Sequence, residues 1–250
     1  GYEIGTQYQS LAAGETVQDS FSYTISDDMG ETSTAVANVT IIGVNDAAVT
    51  VADTGATIED STAPVTGNVL ANDSDIDRGT VLQVAAPGVY AGIYGSLSLA
   101  QDGSYSYTLN NGAANVQGLN EGESVTDTFA YVATDGIEGV ASSLAITIVG
   151  TNDAPVVTAD VSQVSEDGSQ AASGKVLAND SDADTGTTLV VAAPASYTGA
   201  YGTLVLAQDG SYTYSLDNTL AAVQALAEGQ TVVDSFSYAA TDGQVDTAST

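Results

Sequence analysis

The chain has 250 residues, a length that fits about two domains, and 32 acidic side chains face only two basic ones, Arg78 and Lys175, for a net charge of −30. Two cations cannot build a basic patch, so nucleic-acid binding and attraction to an anionic membrane surface are excluded, and counter-ions become the first partners to consider. Hydrophobic residues still make up 43% and mean hydropathy is +0.09, which is too apolar for a disordered chain. There is no Cys and no His, which removes disulfides, thiolate metal sites and the usual nucleophilic triads; the expectation is that the chain is not an enzyme. No signal peptide and no apolar run of 18 residues is present, so no membrane insertion is expected.

In chain order, AGETVQDSFSYTISD (13–27) opens with alternating apolar and polar positions and is followed by a second strand-like run at 35–44. After Asn45-Asp46 come VTVADTGATI (49–58), PVTGNVLA (64–71), VLQVAA (81–86), GSLSLA (95–100), SYSYTL (104–109), TDTFAYVA (126–133) and SLAITIVG (143–150). All are short and β-branched or aromatic. Asp102-Gly103 reads as a tight hairpin turn, with Tyr105, Tyr107 and Leu109 on one face of the strand that follows it. AANVQGLNEG (113–122) and NTLAAVQALAEG (218–229) are the only helix signals, one or two turns each, while 87–95 and 194–202 read as irregular. About seven strands in roughly 100 residues is the pattern of an all-β, Ig-like sandwich.

The strands repeat. GVNDAAV (43–49), VLANDSDID (69–77), AQDGSYSYTL (100–109) and EGESVTDTFAYVATDG (121–136) each return 107 residues later, as GTNDAPV, VLANDSDAD, AQDGSYTYSL and EGQTVVDSFSYAATDG. The segment 13–27 is a further copy of the last motif. The expected organisation is the end of one repeat at 1–46, a complete repeat at 47–153 and a third at 154–250 without its last strand. A window cut from a longer chain accounts for the partial ends. The sharper alternative is strand donation, in which residues 35–44 of one molecule complete the third sandwich of another.

Each full copy carries NDSD: Asp73, Asp75 and Asp77 alternate, as do Asp180, Asp182 and Asp184. In extended chain, alternate side chains share a face, and three like charges on one face repel unless a cation sits among them. With only carboxylates, amides and carbonyls on offer, calcium is the favoured metal. The loop is no EF-hand, because Gly79 comes one residue late and the twelfth residue from Asp73 is Val84. The missing ligands must come from elsewhere in the fold.

In their order and spacing, these motifs resemble the VCBS-type repeat of large secreted bacterial adhesins of the RTX type, although no GGxGxD nonapeptide is present. At a distance they resemble the cadherin repeat: NDAPV its linker, NDSDID its Asp-x-Asp loop, Ile58-Glu59-Asp60 its acidic residue after the first strand and ATDG its late turn. The resemblance implies tandem cadherin-like sandwiches, extracellular or on the bacterial surface, with calcium gathered at the domain junctions. For the junction at 45–47 it implies Asn45, Asp46, Asp73, Asp75, Asp77 and Asp135 as ligands. For that at 152–154 it implies Glu59 and Asp60 from upstream, Asn152 and Asp153 from the linker, and Asp180, Asp182, Asp184 and Asp242 from downstream. The role implied is a calcium-rigidified extender supporting adhesion and biofilm, with neighbouring repeats as partners. The alternative is a subunit of an extracellular filament joined by strand pairing between copies. A ligand-binding module, the third class, has no sequence feature beyond exposed loops.

Overall fold

The computed structural model describes residues 3, 5–168 and 171–249, and they group into two compact units. The first comprises the described residues of 1–110 and 125–148, and the second those of 111–124 and 149–250.

In the first unit, β1 (Thr16–Ser26) and β2 (Thr32–Ile42) form an antiparallel hairpin in unbroken register, from Thr16 opposite Ile42 to Ser26 opposite Thr32. Residues 35–42 therefore pair with 16–23 of their own chain. The following sandwich contains β3 (Asp53–Ile58), β4 (Val65–Asn68), β5 (Gln83–Val84), β6 (Gly88–Ala91), β7 (Gly95–Leu99), β8 (Ser104–Leu109), β9 (Ser124–Thr134) and β10 (Gly139–Val149). One sheet runs β3-β10-β9-β5 and the other β4-β8-β7-β6. Phe129, Tyr131 and Ala133 of β9 and Leu144, Ile146 and Ile148 of β10 are buried, as are Leu97, Leu99, Tyr105 and Tyr107 of the second sheet. The period-2 alternation thus drives both inner faces together, as in other sandwiches. Gly67 of β4 lies opposite Tyr105, where a Cβ would stand 2.8 Å from the ring, so this strand carries Gly to admit the aromatic side chain.

The second unit repeats the plan. Here β11 (Ala171–Lys175), β15 (Ser211–Leu216), β14 (Gly202–Leu206) and β13 (Ala195–Thr198) form one sheet. A second is built from β12 (Val190–Val191), β16 (Tyr238–Thr241) and β17 (Asp246–Ser249). Val176, Val191, Leu206, Tyr238 and Ala240 make its core. Both helix signals prove to be single turns, α1 (Ala114–Gln117) and α2 (Ala221–Gln224).

Three expectations need correction. The first sandwich has eight strands, β3 to β10, and the second seven among the described residues, β11 to β17, in keeping with about seven each; but the segment taken as irregular forms the edge strand β6, and its counterpart forms β13. Pro87, Gly88 and Gly92 hide the strand in the sequence, yet an edge position tolerates them. Residues 49–52 do not extend β3; Val49 makes only an isolated bridge to Ser74. Finally, residues 231–237, unlike their counterparts in β9, carry no strand.

Candidate metal centre

The two acidic loops adopt the alternation that the sequence expects. Asp73 and Asp75 are partly buried and Asp77 is buried, while Ser74 and Ile76 between them are exposed; Asp180, Asp182 and Asp184 follow suit. The loop is fixed by the bridge between Val49 and Ser74, and in the second unit by that between Val156 and Ser181, which lay the residues after each Asn-Asp linker along it.

Each carboxylate has at least one oxygen tied to the fold. Asp73 accepts the Val51 N–H at 2.8 Å, Asp75 that of Asp77 at 2.8 Å, and Asp77 that of Asp46 at 2.9 Å. Asp180 accepts from Thr158, Asp182 from Asp184 and Asp184 from Asp153, at 2.8, 2.9 and 3.0 Å. The linker asparagines reach the late turn: Asn45 donates to Asp135 and Asn152 to Asp242, both at 2.8 Å. Asn45, Asp46, Asp75, Asp77 and Asp135 are thereby linked in the first unit, and Asn152, Asp153, Asp182, Asp184 and Asp242 in the second. Asp73 and Asp180 sit beside them and turn towards the core. Glu59 and Asp60 belong to the first unit, immediately after β3; Glu59 is 1% exposed and Asp60 has a φ of +60°.

The second oxygens set the chemistry. Asp75 Oδ2 and Asp77 Oδ1 are buried with no hydrogen-bond partner, and so are Asp182 Oδ2 and Asp184 Oδ1. Buried anionic oxygens left unmatched are costly. Desolvation, reinforced by the charges of Asp184 and Asp242, pushes the Asp182 carboxyl above its ordinary range. Asp135 is held below that range by the N–H groups of Glu138 and Ile137 and by Asn45. At Asp242 burial opposes the charge, but the N–H groups of Val245 and Gln244 together with Asn152 outweigh it, and its carboxyl is lowered. The donors are all oxygens, the set a hard divalent cation takes. Among the described residues, however, no three acidic side chains converge as an assembled metal cluster.

Sequence reasoning missed Asp53 and Asp160. The Tyr131 hydroxyl lies 2.9 Å from Asp53 Oδ2, 2.8 Å from the Val69 carbonyl and 3.3 Å from Asp73 Oδ2; Tyr238 stands at 3.1 Å from Asp160, the Val176 carbonyl and Asp180. One hydroxyl proton is thus shared among two carboxylates and a carbonyl, and it fastens the loop to the core. Desolvation raises Asp53 and Asp160, and the nearby Asp73 and Asp180 charges add to it. The available signal was recurrence of the acid at the repeat period.

A pH dependence follows for the metal-free chain. Asp53, Asp160 and Asp182 hold their protons more tightly when folded, so acidification from neutrality first stabilises the fold. Asp135 and Asp242 contribute stability above the ordinary carboxylate range and lose it only as pH falls through their lowered values. Melting scans in chelator from pH 7.5 to 3 should therefore pass through a maximum on the acid side; a steady fall from neutrality would contradict this charge balance.

Comparison with known proteins bears on the family and the fold. The model of the family described as "Bacterial cadherin-like domain" matches residues 45–150 and again 152–250. The chain belongs to the bacterial cadherin-like domain family. A curated relative, the calcium-binding lectin RapA2 of Rhizobium johnstonii, is 29% identical over 213 residues, spanning 74% of this chain and 86% of the relative. Among solved structures, domains EC1-4 of PcdhgB3 align with a TM-score of 0.55 at 17% identity, covering 99% of this chain and 57% of theirs. Extracellular cadherin domains 1-5 of Protocadherin Gamma B2 align at 0.51 and 14% identity, covering 94% and 43%. These bacterial cadherin-like repeats therefore span about half the length of those structures and share their fold. No helix among the described residues is long and apolar enough to cross a membrane.

Proposed function

We propose that the chain is a calcium-stiffened run of VCBS-type adhesion repeats, an extender within a large surface-exposed or secreted bacterial adhesin. The carrying observation is that the same pair of buried carboxylate oxygens lacks a partner in both copies, Asp75 Oδ2 and Asp77 Oδ1 in one and Asp182 Oδ2 and Asp184 Oδ1 in the other. The proposed ligands are those each unit gathers itself: Asp46, Asp75, Asp77 and Asp135, and Asp153, Asp182, Asp184 and Asp242, with Asn45 and Asn152 orienting the late Asp. The relative RapA2 is a calcium-binding lectin, which supports the choice of ion. Linker and loop carboxylates that repel in its absence are drawn together when calcium binds, so that the linker between repeats loses freedom. Small-angle scattering tests this: calcium should lengthen the maximum dimension and sharpen the distance distribution relative to chelator. Identical profiles would end the extender reading. A second reading, calcium-dependent sugar binding, rests on RapA2 being a lectin and is tested by glycan-array binding with and without calcium. The filament alternative loses its specific support, because residues 35–42 already pair within their own chain.

A further inference from the structure

The single-turn insert between β8 and β9 groups with the repeat that follows it in sequence, since residues 111–124 lie in the second unit with 149–250. Two sets of backbone contacts account for this. The insert is stapled to the chain leaving β10: Gly122 N–H donates to the Gly150 carbonyl at 3.1 Å, and Gly150 N–H to the Glu123 carbonyl at 2.8 Å. A Cβ on Gly150 would stand 2.4 Å from the Asn120 carbonyl oxygen, so a side chain there is incompatible with the staple. On its other side the Gly118 carbonyl accepts the N–H of Thr185, the residue immediately after Asp184, at 3.3 Å. A Cβ on Gly118 would lie 2.7 Å from Thr185 Oγ1 and 3.6 Å from the Ala183 carbonyl oxygen. Gly118 has a φ of −91°, which any residue adopts, so closeness of approach rather than backbone conformation distinguishes the position.

The first unit contains the same arrangement one repeat earlier. Gly14 and Glu15 exchange hydrogen bonds with Gly43 at 3.0 and 2.8 Å, and a Cβ on Gly43 would stand 2.3 Å from the Ala12 carbonyl oxygen. The Ser10 carbonyl accepts the N–H of Arg78, the residue after Asp77, at 3.0 Å. An ion pair, Arg78 Nη1 to Glu15 Oε1 at 3.5 Å, is added here. Leu11 and Leu119, at matching positions of the two inserts, are both 5% exposed.

We propose that this insert is a docking element that each repeat places on the acidic loop of the next, a second tether besides the Asn-Asp linker, and one that needs no metal. Its contact point directly follows Asp77 or Asp184, so docking also fixes the backbone of a carboxylate with an unmatched oxygen; that second effect rests on the calcium reading above. Because the chain has no Cys, spin labels on Val89→Cys and Ser196→Cys, both exposed and in different repeats, report a single distance by pulsed dipolar spectroscopy. In chelator, Gly118→Leu should at least double the width of the distance distribution, and Gly118→Ala should change it little, because the Thr185 hydroxyl can turn aside. Equal widths for wild type and Gly118→Leu in chelator overturn the docking. If calcium narrows both chains equally while their widths match, calcium stiffening stands and docking falls. If calcium changes neither while Gly118→Leu remains broader, docking stands and calcium stiffening falls. Should Gly118→Leu lose folded signal by circular dichroism, Thr185→Arg reads the same contact in the opposite sense: it reproduces the Arg78–Glu15 pairing with Glu123 and should narrow the distribution in chelator. An unchanged width there overturns the proposal as well.

Discussion

Saturating calcium is expected to raise the melting temperature of each unit by roughly 10–20 °C, and Asp77→Asn with Asp184→Asn is expected to abolish the rise. A ligand bound only to the native state at a hundred times its Kd stabilises by about 2.7 kcal/mol, and a domain of this size moves by about 4–8 °C per kcal/mol. The asparagine substitutions keep the shape of the side chain and leave an oxygen to accept the Asp46 or Asp153 N–H, so the loop retains its bond to the linker. They remove the negative charge from the group that also carries the unmatched Oδ1. In chelator the double variant should therefore melt no lower than wild type, and higher if relief of repulsion dominates. With calcium it should melt well below wild type. That reversal of order separates a cation site from an ordinary hydrogen-bonded loop, in which losing the carboxylate costs the same under both conditions. Either single variant should abolish the rise of its own unit and leave that of the other, because the two sites lie in different units. A rise that survives in the double variant would remove Asp77 and Asp184 from the ligand set.

The repeat made much of this architecture legible. Strand alternation put Tyr105 and Tyr107 on one face, and both are buried; it put Asp73, Asp75 and Asp77 on one face, and all three are at least partly buried. Failure of the EF-hand spacing required the remaining donors to come from distant segments, and Asn45 meets Asp135 across 90 residues. The elements that escaped notice depend on long-range geometry. A lone acid at the start of β3 looks like surface until Tyr131, 78 residues later, is seen to donate to Asp53. The insert 111–124 reads as part of its own repeat because covalent order says nothing about which neighbour its backbone meets. Asp127 is a different case, since the sequence carries its signal. In SVTDTFAYVA it falls in phase with Val125, Phe129, Tyr131 and Ala133, on the face that must be apolar. A charge at such a position demands donors, and only the fold reveals them.

Those donors make Asp127→Ala the most damaging single substitution expected in the first unit, at about 3–5 kcal/mol. Asp127 is 2% exposed and accepts the N–H groups of Ile93 and Tyr94 at 2.7 and 3.1 Å and the Tyr107 hydroxyl at 2.7 Å. It thus closes the turn between β6 and β7 and ties it across the sandwich to β8 and β9. Gly92 is part of the fit, because a Cβ there would stand 2.2 Å from Asp127 Oδ2. Removing the carboxylate strands a buried hydroxyl and two backbone donors, each costing about 1–3 kcal/mol when left unmatched. It also leaves a void beside Tyr107, which packs edge-on to Phe129 at 6.0 Å between ring centroids. Asp234, the counterpart, accepts from Ala200, Tyr201 and Tyr214, yet it is only partly buried and its segment carries no strand. Water can replace more of its bonds, so Asp234→Ala should cost about half as much. A two-transition calorimetric scan of each variant, run in calcium and in chelator, measures both. The shift from Asp127→Ala should be the same with or without calcium, since none of its partners belongs to the acidic loop. A shift that vanishes in chelator would mean that this buried network and the cation site are one cooperative unit.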